Sequence, residues 1–280
     1  MDITLLCIGD VVGKPGRHMV SHEAPRLVRE RGVDVVIANV ENAAGGSGLT
    51  PQLYDKFLRY GVNVMTMGDH VFRRAEIVTV LQRSDCLIRP ANLSPEAPGR
   101  GMTVFTTARG PKVAVISVMG RLFMNVGVNC PFHEVDRLIA SLPDDVRIIV
   151  VDMHAEATGE KVAMGWHLDG RASVVFGTHT HVPTADERIL PKATAYISDL
   201  GMTGPHDSVL GRRTDRVLGT TLSGVPSPFD VAVGDPRLNG ILVRVDSETG
   251  RAAHIERVRI DGTPESVPPD NDGEGSRSND

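Results

Sequence analysis

Five short polar clusters in this chain each follow an apolar run, and together they hold the residue types that bind cations. Asp10 stands after Ile3–Ile8 and before a glycine-rich turn. Glu41 and Asn42 follow Val33–Ala38 and lead into Gly45-Gly46-Ser47-Gly48. Asp69 and His70 follow Val62–Met65, His154 follows Ile148–Val151, and His179 and His181 follow Val174–Phe176. Taken singly, an aspartate is a helix cap and a Glu-Asn or Asp-His pair a surface turn. The His-x-His pair is the strongest local signal, because residues two apart on an extended segment project to one side. Succession decides the matter: independent turns have no reason to carry a metal-capable side chain at nearly every strand end. Three carboxylates, one amide and four imidazoles are too many for one tetrahedral zinc and enough for two metals with open positions. Two cations about 3.5–4 Å apart suit hydrolysis of phosphate esters, since they activate a water and stabilise charge on phosphoryl oxygens.

The elements that must position these residues alternate short β-branched runs with amphipathic stretches. Ile3–Ile8, a helical pattern over about 16–31, Val33–Ala38, a helix from Thr50 and Val62–Met65 give a βαβα rhythm, hence parallel strands with covering helices. Thr50-Pro51 signals a helix start by an N-cap followed by proline in the first turn. Lys112–Val118 and Arg147–Val151 read as strands around a helix over Phe132–Leu142, and Ala172–Phe176, Thr194–Ile197 and Gly240–Val245 as later strands with little helical pattern between. One mixed α/β (α+β) domain is expected. Residues 203–235, rich in Gly, Pro and Ser, read as a long connection flanking a site or interface. From residue 262 to 280 almost no side chain has an apolar surface to bury, so a disordered C-terminal tail is expected.

Composition removes several classes of function. With 280 residues, 41% hydrophobic, 23% charged and a net charge of −5, the chain is neither disordered nor polycationic, which argues against sequence-independent DNA binding. Cys7, Cys86 and Cys130 are odd in number and far apart, so they form no disulfide framework or metal knuckle and fit a reducing cytoplasm. There is no signal-peptide pattern and no apolar run near the roughly 18 residues of a membrane span. Around Gly9, Gly13 and Gly16 neither GxGxxG nor GxxxxGK[ST] occurs, which weakens a dinucleotide or Walker-type site. His18, His22, His133, His167 and His254 lack a strand-end setting, and His206 is near the clusters in sequence only. Asp152 and Glu156 flank His154 and can orient imidazoles. Arg17 and Arg89 are candidate anion contacts, with a structural role as the plainer reading of each.

With these residues in place, the chain resembles the calcineurin-like metallophosphoesterases, specifically the small bacterial YmdB-like branch acting on 2′,3′-cyclic nucleotides and other phosphodiesters. The segments IGDVVGKPGR, ENAAGGSGLT, MGDHVF, RPANLSP, DMHAEATGEKVAMGWHLDGRAS, GTHTHVPTADERILP and YISDLGMTGP carry the resemblance, which runs from about Ile3 to Ile260. It implies a metallophosphoesterase domain over residues 1–261, folded as a double β-sandwich flanked by helices, α/β/β/α. It also implies two metal ions, iron or manganese. Asp10, Asn42 and His181 would hold one metal and Asp69, His154 and His179 the other, with Glu41 bridging and His70 protonating the leaving oxygen. The wider phosphoesterase pattern has Asp-x-His at the first strand, whereas Val12 stands here, as in the small bacterial branch. Asp69 departs from the usual Gly-Asn-His, which adds negative charge beside an anionic substrate.

The function expected is therefore a cytoplasmic, metal-dependent phosphodiesterase, in which a hydroxide activated by two metals attacks phosphorus and His70 serves as general acid. Its partner is a small phosphodiester, with no stable DNA binding, no membrane and room for a homo-oligomer. Two rival readings are a nucleotide-binding regulatory protein with negligible turnover and a two-metal hydrolase of another bond.

Overall fold

The computed structural model describes residues 1–263, so the tail expected from residue 262 lies, beyond its first two residues, outside the described residues. In chain order the elements are β1 (Asp2–Ile8), α1 (Gly13–Arg31), β2 (Val35–Asn39), α2 (Pro51–Arg59), β3 (Val64–Thr66), α3 (Val78–Leu81), β4 (Leu87–Ile88), β5 (Met102–Thr106) and β6 (Lys112–Met119). They continue as α4 (Pro131–Ala140), β7 (Ile148–His154), α5 (Thr158–Leu168), β8 (Val174–Thr178), β9 (Arg188–Ile189), β10 (Ala195–Ile197), β11 (Gly204–Pro205), α6 (Thr214–Ser223), β12 (Pro236–Asp246) and β13 (Ala252–Asp261).

Alternation within the strands decides the layering. One sheet runs β11-β12-β1-β2-β3-β4 with β13 paired to β12, and the other runs β5-β6-β7-β8-β10-β9. Leu5, Cys7, Val35 and Ile37 of the first sheet pack against Val115, Val150, Val174 and Phe176 of the second. Their alternate neighbours Leu6, Ile8, Val36 and Ala38 turn outward onto Val20 and Leu27 of α1 and Leu53 and Phe57 of α2. Ile116, Val118, Ile149 and Val151 likewise meet Val135 and Leu138 of α4 and Met164 and Leu168 of α5. Two mixed sheets flanked by helices result, the α/β/β/α sandwich expected. Both faces of the central strands are covered, which is why they read as continuous apolar runs.

Parallel pairing links β1 to β2, β2 to β3, β6 to β7 and β7 to β8, so the carboxyl ends of these strands share an edge within each sheet. The expected Thr50 cap is present, its hydroxyl accepting from Leu53 N, with Pro51 in the first turn. One expectation needs correction. Residues 203–235 are not an unbroken connection, since they contain β11 and α6, a helix with no buried residue. The stretch before β8, for which no element was read, forms α5, whose inner face is Lys161, Met164, Gly165 and Leu168. A lysine and a glycine on that face erase the apolar stripe by which a helix is recognised.

Candidate metal centre

The strand ends bring the predicted clusters together. Asn39 ends β2, His154 ends β7 and Thr178 ends β8, with Asp10, Glu41, Asp69 and His179 just beyond their strands. Among the described residues, Glu41, Asp69, His154 and His179 form a group that can hold a metal ion, their donor atoms all within 4.8 Å of one another. Gly68 permits the approach: a Cβ there would lie 2.1 Å from His154 Nε2.

Hydrogen bonds set which ring nitrogens face inward. Thr178 Oγ1 donates to Asp152 Oδ1 at 2.6 Å, so it is free to accept from His154 Nδ1 at 2.9 Å. That leaves the His154 Nε2 lone pair 3.0 Å from Asp69 Oδ1 and 3.4 Å from Glu41 Oε1. His179 Nε2 faces Glu156 Oε2 at 3.2 Å, which turns its Nδ1 toward Asp69 Oδ1 at 3.2 Å and His154 Nε2 at 3.2 Å. Four acceptors thus converge, and each facing pair requires a cation or a proton between its lone pairs. Mixed imidazole and carboxylate donors on one point suit a divalent transition metal.

Beside this group lies a second one. His181 Nδ1 donates to Leu210 O at 3.0 Å, and its Nε2 faces Asn42 Nδ2 at 3.2 Å and Asp10 Oδ1 at 3.9 Å. Asp10 Oδ1 is buried and has no hydrogen-bond partner, while its Oδ2 accepts from His179 N at 3.2 Å. An orphaned carboxylate oxygen aimed at an imidazole nitrogen fits a cation ligand, and it excludes the helix-cap reading of Asp10. Between the groups, Glu41 Oε2 accepts from Gly68 N at 2.7 Å and His70 N at 3.1 Å, and its Oε1 accepts from Asn42 Nδ2 at 3.2 Å. His70 Nδ1 lies 2.7 Å from Asn42 Oδ1, and its Nε2 is 3.6 Å from Asp69 Oδ2.

The histidine pair reaches both groups by a different route from the one expected. His179 and His181 do not lie on an extended segment; they have φ of 93° and 66°. Such left-handed backbone costs about 1–3 kcal/mol per residue and persists only where its surroundings hold it. The two rings diverge toward neighbouring groups because the backbone is twisted, where a strand would have kept them parallel.

The charge balance points the same way. Burial first, then the neighbouring Asp199 and Asp152, push Asp10 up to about 8. Burial, with Asp69 and Asp10 nearby, raises Glu41 well above the usual carboxylate range. Burial opposes ionisation of Asp69 too, but the facing His154 and His179 hold it below that range. Burial lowers His154 and His181 to about 4 each. Above about pH 7.5, a unit past the ordinary histidine value of 6.5, these two rings are neutral folded or unfolded, so Asp10 and the raised His179 and Glu41 dominate. A raised folded pKa stabilises at low pH and loses its contribution as pH climbs through it. Metal-stripped protein should therefore unfold at progressively lower urea between about pH 7.5 and 8.5, and Asp10→Asn should flatten that slope. A midpoint that rises over the same interval in stripped wild-type protein contradicts this charge balance.

Other candidates sit elsewhere. Arg17 is buried and donates to Ala43 O, and Arg89 is buried and donates to Pro90 O, Ala97 O and Pro98 O, so both hold backbone and neither is placed as an anion contact. His206 bonds Met202 O and Asn239 Nδ2, away from both groups. Cys7 is buried in β1, and all three cysteines are free thiols. Glu156 contacts His179 directly, and Asp152 reaches His154 through Thr178, as expected of residues that orient imidazoles. Thr178, Thr180, Lys161 and Asp199 were not signalled, because a threonine in a strand and a lysine in a helix are ordinary until the fold brings them to the site.

Comparison with known proteins follows the same residues. A YmdB-like protein family profile matches residues 6–258. A Bacillus subtilis protein named 2′,3′-cyclic-nucleotide 2′-phosphodiesterase is 44% identical over 256 residues, covering 91% of this chain and 96% of that one. A Mycoplasma pneumoniae structure described as a novel phosphatase superposes with a TM-score of 0.88 at 34% identity, over 95% of this chain and 96% of its own. A hypothetical protein from Thermus thermophilus gives 0.86 at 39% identity, over 92% and 99%.

Proposed function

The chain belongs to the YmdB-like protein family, and from that premise we propose that it is a metal-dependent phosphodiesterase of small phosphodiesters, 2′,3′-cyclic nucleotides foremost. The observation that carries this reading is the convergence of Glu41, Asp69, His154 and His179 at the strand ends. Asp69, His154 and His179 would hold one ion and Asp10, Asn42 and His181 the other, with Glu41 between. Iron or manganese suits a donor set divided between imidazoles and oxygens. When bound, such ions activate water and balance charge on the phosphoryl oxygens.

The chain's own residues supply the remainder. Thr178 and Asp152 keep the His154 proton on Nδ1, and Glu156 keeps the His179 proton on Nε2, so each ring presents a lone pair inward. Asn42 Oδ1 accepts from His70 Nδ1, which leaves His70 Nε2 to give a proton to the leaving oxygen. Three free cysteines accord with a reducing cytoplasm, and among the described residues no helix is long and apolar enough to cross a membrane. Release of nitrophenol from bis-p-nitrophenyl phosphate, by stripped and metal-reloaded protein, tests the activity, and a panel of 2′,3′-cyclic nucleotides tests the substrate. Binding of cyclic nucleotide with no turnover under any metal would instead support a regulatory role.

Asp69 tests the ligand set directly. Its carboxylate faces two imidazoles and, among the described residues, caps no backbone, and it gives the centre one more negative charge than an asparagine would. Asp69→Asn should weaken metal retention while lowering KM or raising turnover, because the amide repels the phosphodiester less and can donate a hydrogen bond to it. Metal titration and steady-state kinetics unchanged from wild type would remove Asp69 from the ligands.

A further inference from the structure

We infer that the buried Lys161–Asp199 ion pair is a positioning device that sets the His179–His181 loop through Thr180, an inference resting on the reading that those histidines hold metal. Lys161 of α5 and Asp199, two residues beyond β10, are each about 2% exposed in their side chains and meet at 2.5 Å, Nζ to Oδ2. The same Oδ2 accepts from Thr180 Oγ1 at 2.8 Å and from Thr180 N at 3.4 Å, and Oδ1 accepts from Gly201 N at 2.7 Å. Thr180 is the single residue between the two histidines. Its hydroxyl and amide are therefore both fixed to one buried carboxylate, while the residue on either side has a left-handed φ.

A buried ion pair is a poor way to gain stability, since apolar residues of the same volume commonly do as well or better. Its value here lies in fixing the Asp199 carboxylate in one orientation, since the ammonium holds the same Oδ2 that accepts from both polar groups of Thr180. Without the ammonium, Oδ2 would lose its shortest contact and the carboxylate would be free to turn away from Thr180. The fold makes room for the lysine stem: a Cβ on Gly177 would lie 2.7 Å from Lys161 Cδ and 1.9 Å from Ser198 O. Among the described residues Lys161 bonds no side chain of the metal groups; its charge is felt by His154, and its route to the His179–His181 loop runs through Asp199 and Thr180.

The test is Mn(II) titration of metal-stripped protein, with urea unfolding of the same stripped samples. Thr180→Val removes only the hydroxyl at nearly constant volume and should weaken Mn(II) binding about 10–100-fold, the usual cost of losing a group that orients a ligand. Its urea midpoint should stay near that of wild type, and Thr180→Ser should restore the affinity. Lys161→Met should weaken binding similarly, and Lys161→Met with Thr180→Val should be no worse than the poorer single variant, because both act through Asp199. Wild-type affinity in Thr180→Val overturns the inference, as do losses that multiply in the double variant. Should Lys161→Met fail to fold, the Thr180→Val and Thr180→Ser pair still decides. Wild-type protein that takes up no Mn(II), Fe(II) or Co(II) overturns the metal reading itself, an outcome distinct from intact binding in the variants.

Discussion

His179→Ala and His181→Ala should each cost the protein one bound cation and lower turnover by more than the roughly 10²–10⁴-fold that loss of a general acid brings. The two imidazoles serve different groups, so the deficits should differ in kind. His179 faces Asp69 and His154, and its loss removes a donor from the tightest cluster and leaves Glu156 without its ring partner. His181 faces Asn42 and the orphaned Asp10 oxygen, so its loss leaves that buried oxygen without its facing imidazole. The fold should survive in both, because neither ring belongs to the apolar clusters between or outside the sheets. Elemental analysis of each purified variant, beside its urea midpoint, checks the point. Full occupancy of both metals in either variant would mean that the twisted His-x-His segment serves only as a turn.

Much of this centre was legible in the sequence because parallel strands end in a common place. An apolar run closed by Asp, Glu-Asn, Asp-His, His or His-x-His declares both a strand and what stands at its carboxyl end, and the ends of β1, β2, β3, β7 and β8 bear the named residues. What sequence spacing could not convey is backbone shape. The His-x-His pair suggested an extended segment, yet φ of 93° and 66° there depends on Thr180 being held by a residue nineteen positions away. The supporting layer was hidden for a related reason. Lys161 and Gly165 on the buried face of α5 look like breaks in an amphipathic pattern until the partner of each is seen, Asp199 for the lysine and Tyr196 for the glycine, where a Cβ would lie 2.5 Å from the ring. Helix α6 escaped notice because Gly219 and three threonines weaken its helical signal, and its few apolar residues, Val217, Leu218 and Leu222, are not buried.

His70→Ala should leave metal content nearly unchanged and lower turnover of 2′,3′-cyclic nucleotides by about 10²–10⁴-fold. The residue is half-buried, with Nδ1 held by Asn42 Oδ1 and Nε2 beside Asp69, which places the imidazole next to the centre without making it a ligand. An acid matters most when the leaving group is a poor one. Ribose oxygen leaves as an unstable alkoxide unless protonated, whereas nitrophenolate leaves unaided, so the loss should shrink markedly on bis-p-nitrophenyl phosphate. The pH profile supplies a second check. Burial lowers the His70 pKa below 6.5 against the opposing pull of Asp69, so the acid form, and with it wild-type turnover of the cyclic nucleotide, should decline as pH rises through that lowered value. The descending limb should vanish in His70→Ala, which has no proton to lose there. An equal loss on nitrophenyl and nucleotide esters, with the limb intact, would assign His70 to holding Asn42 and Glu41 in place, and the proton would have to come from another donor.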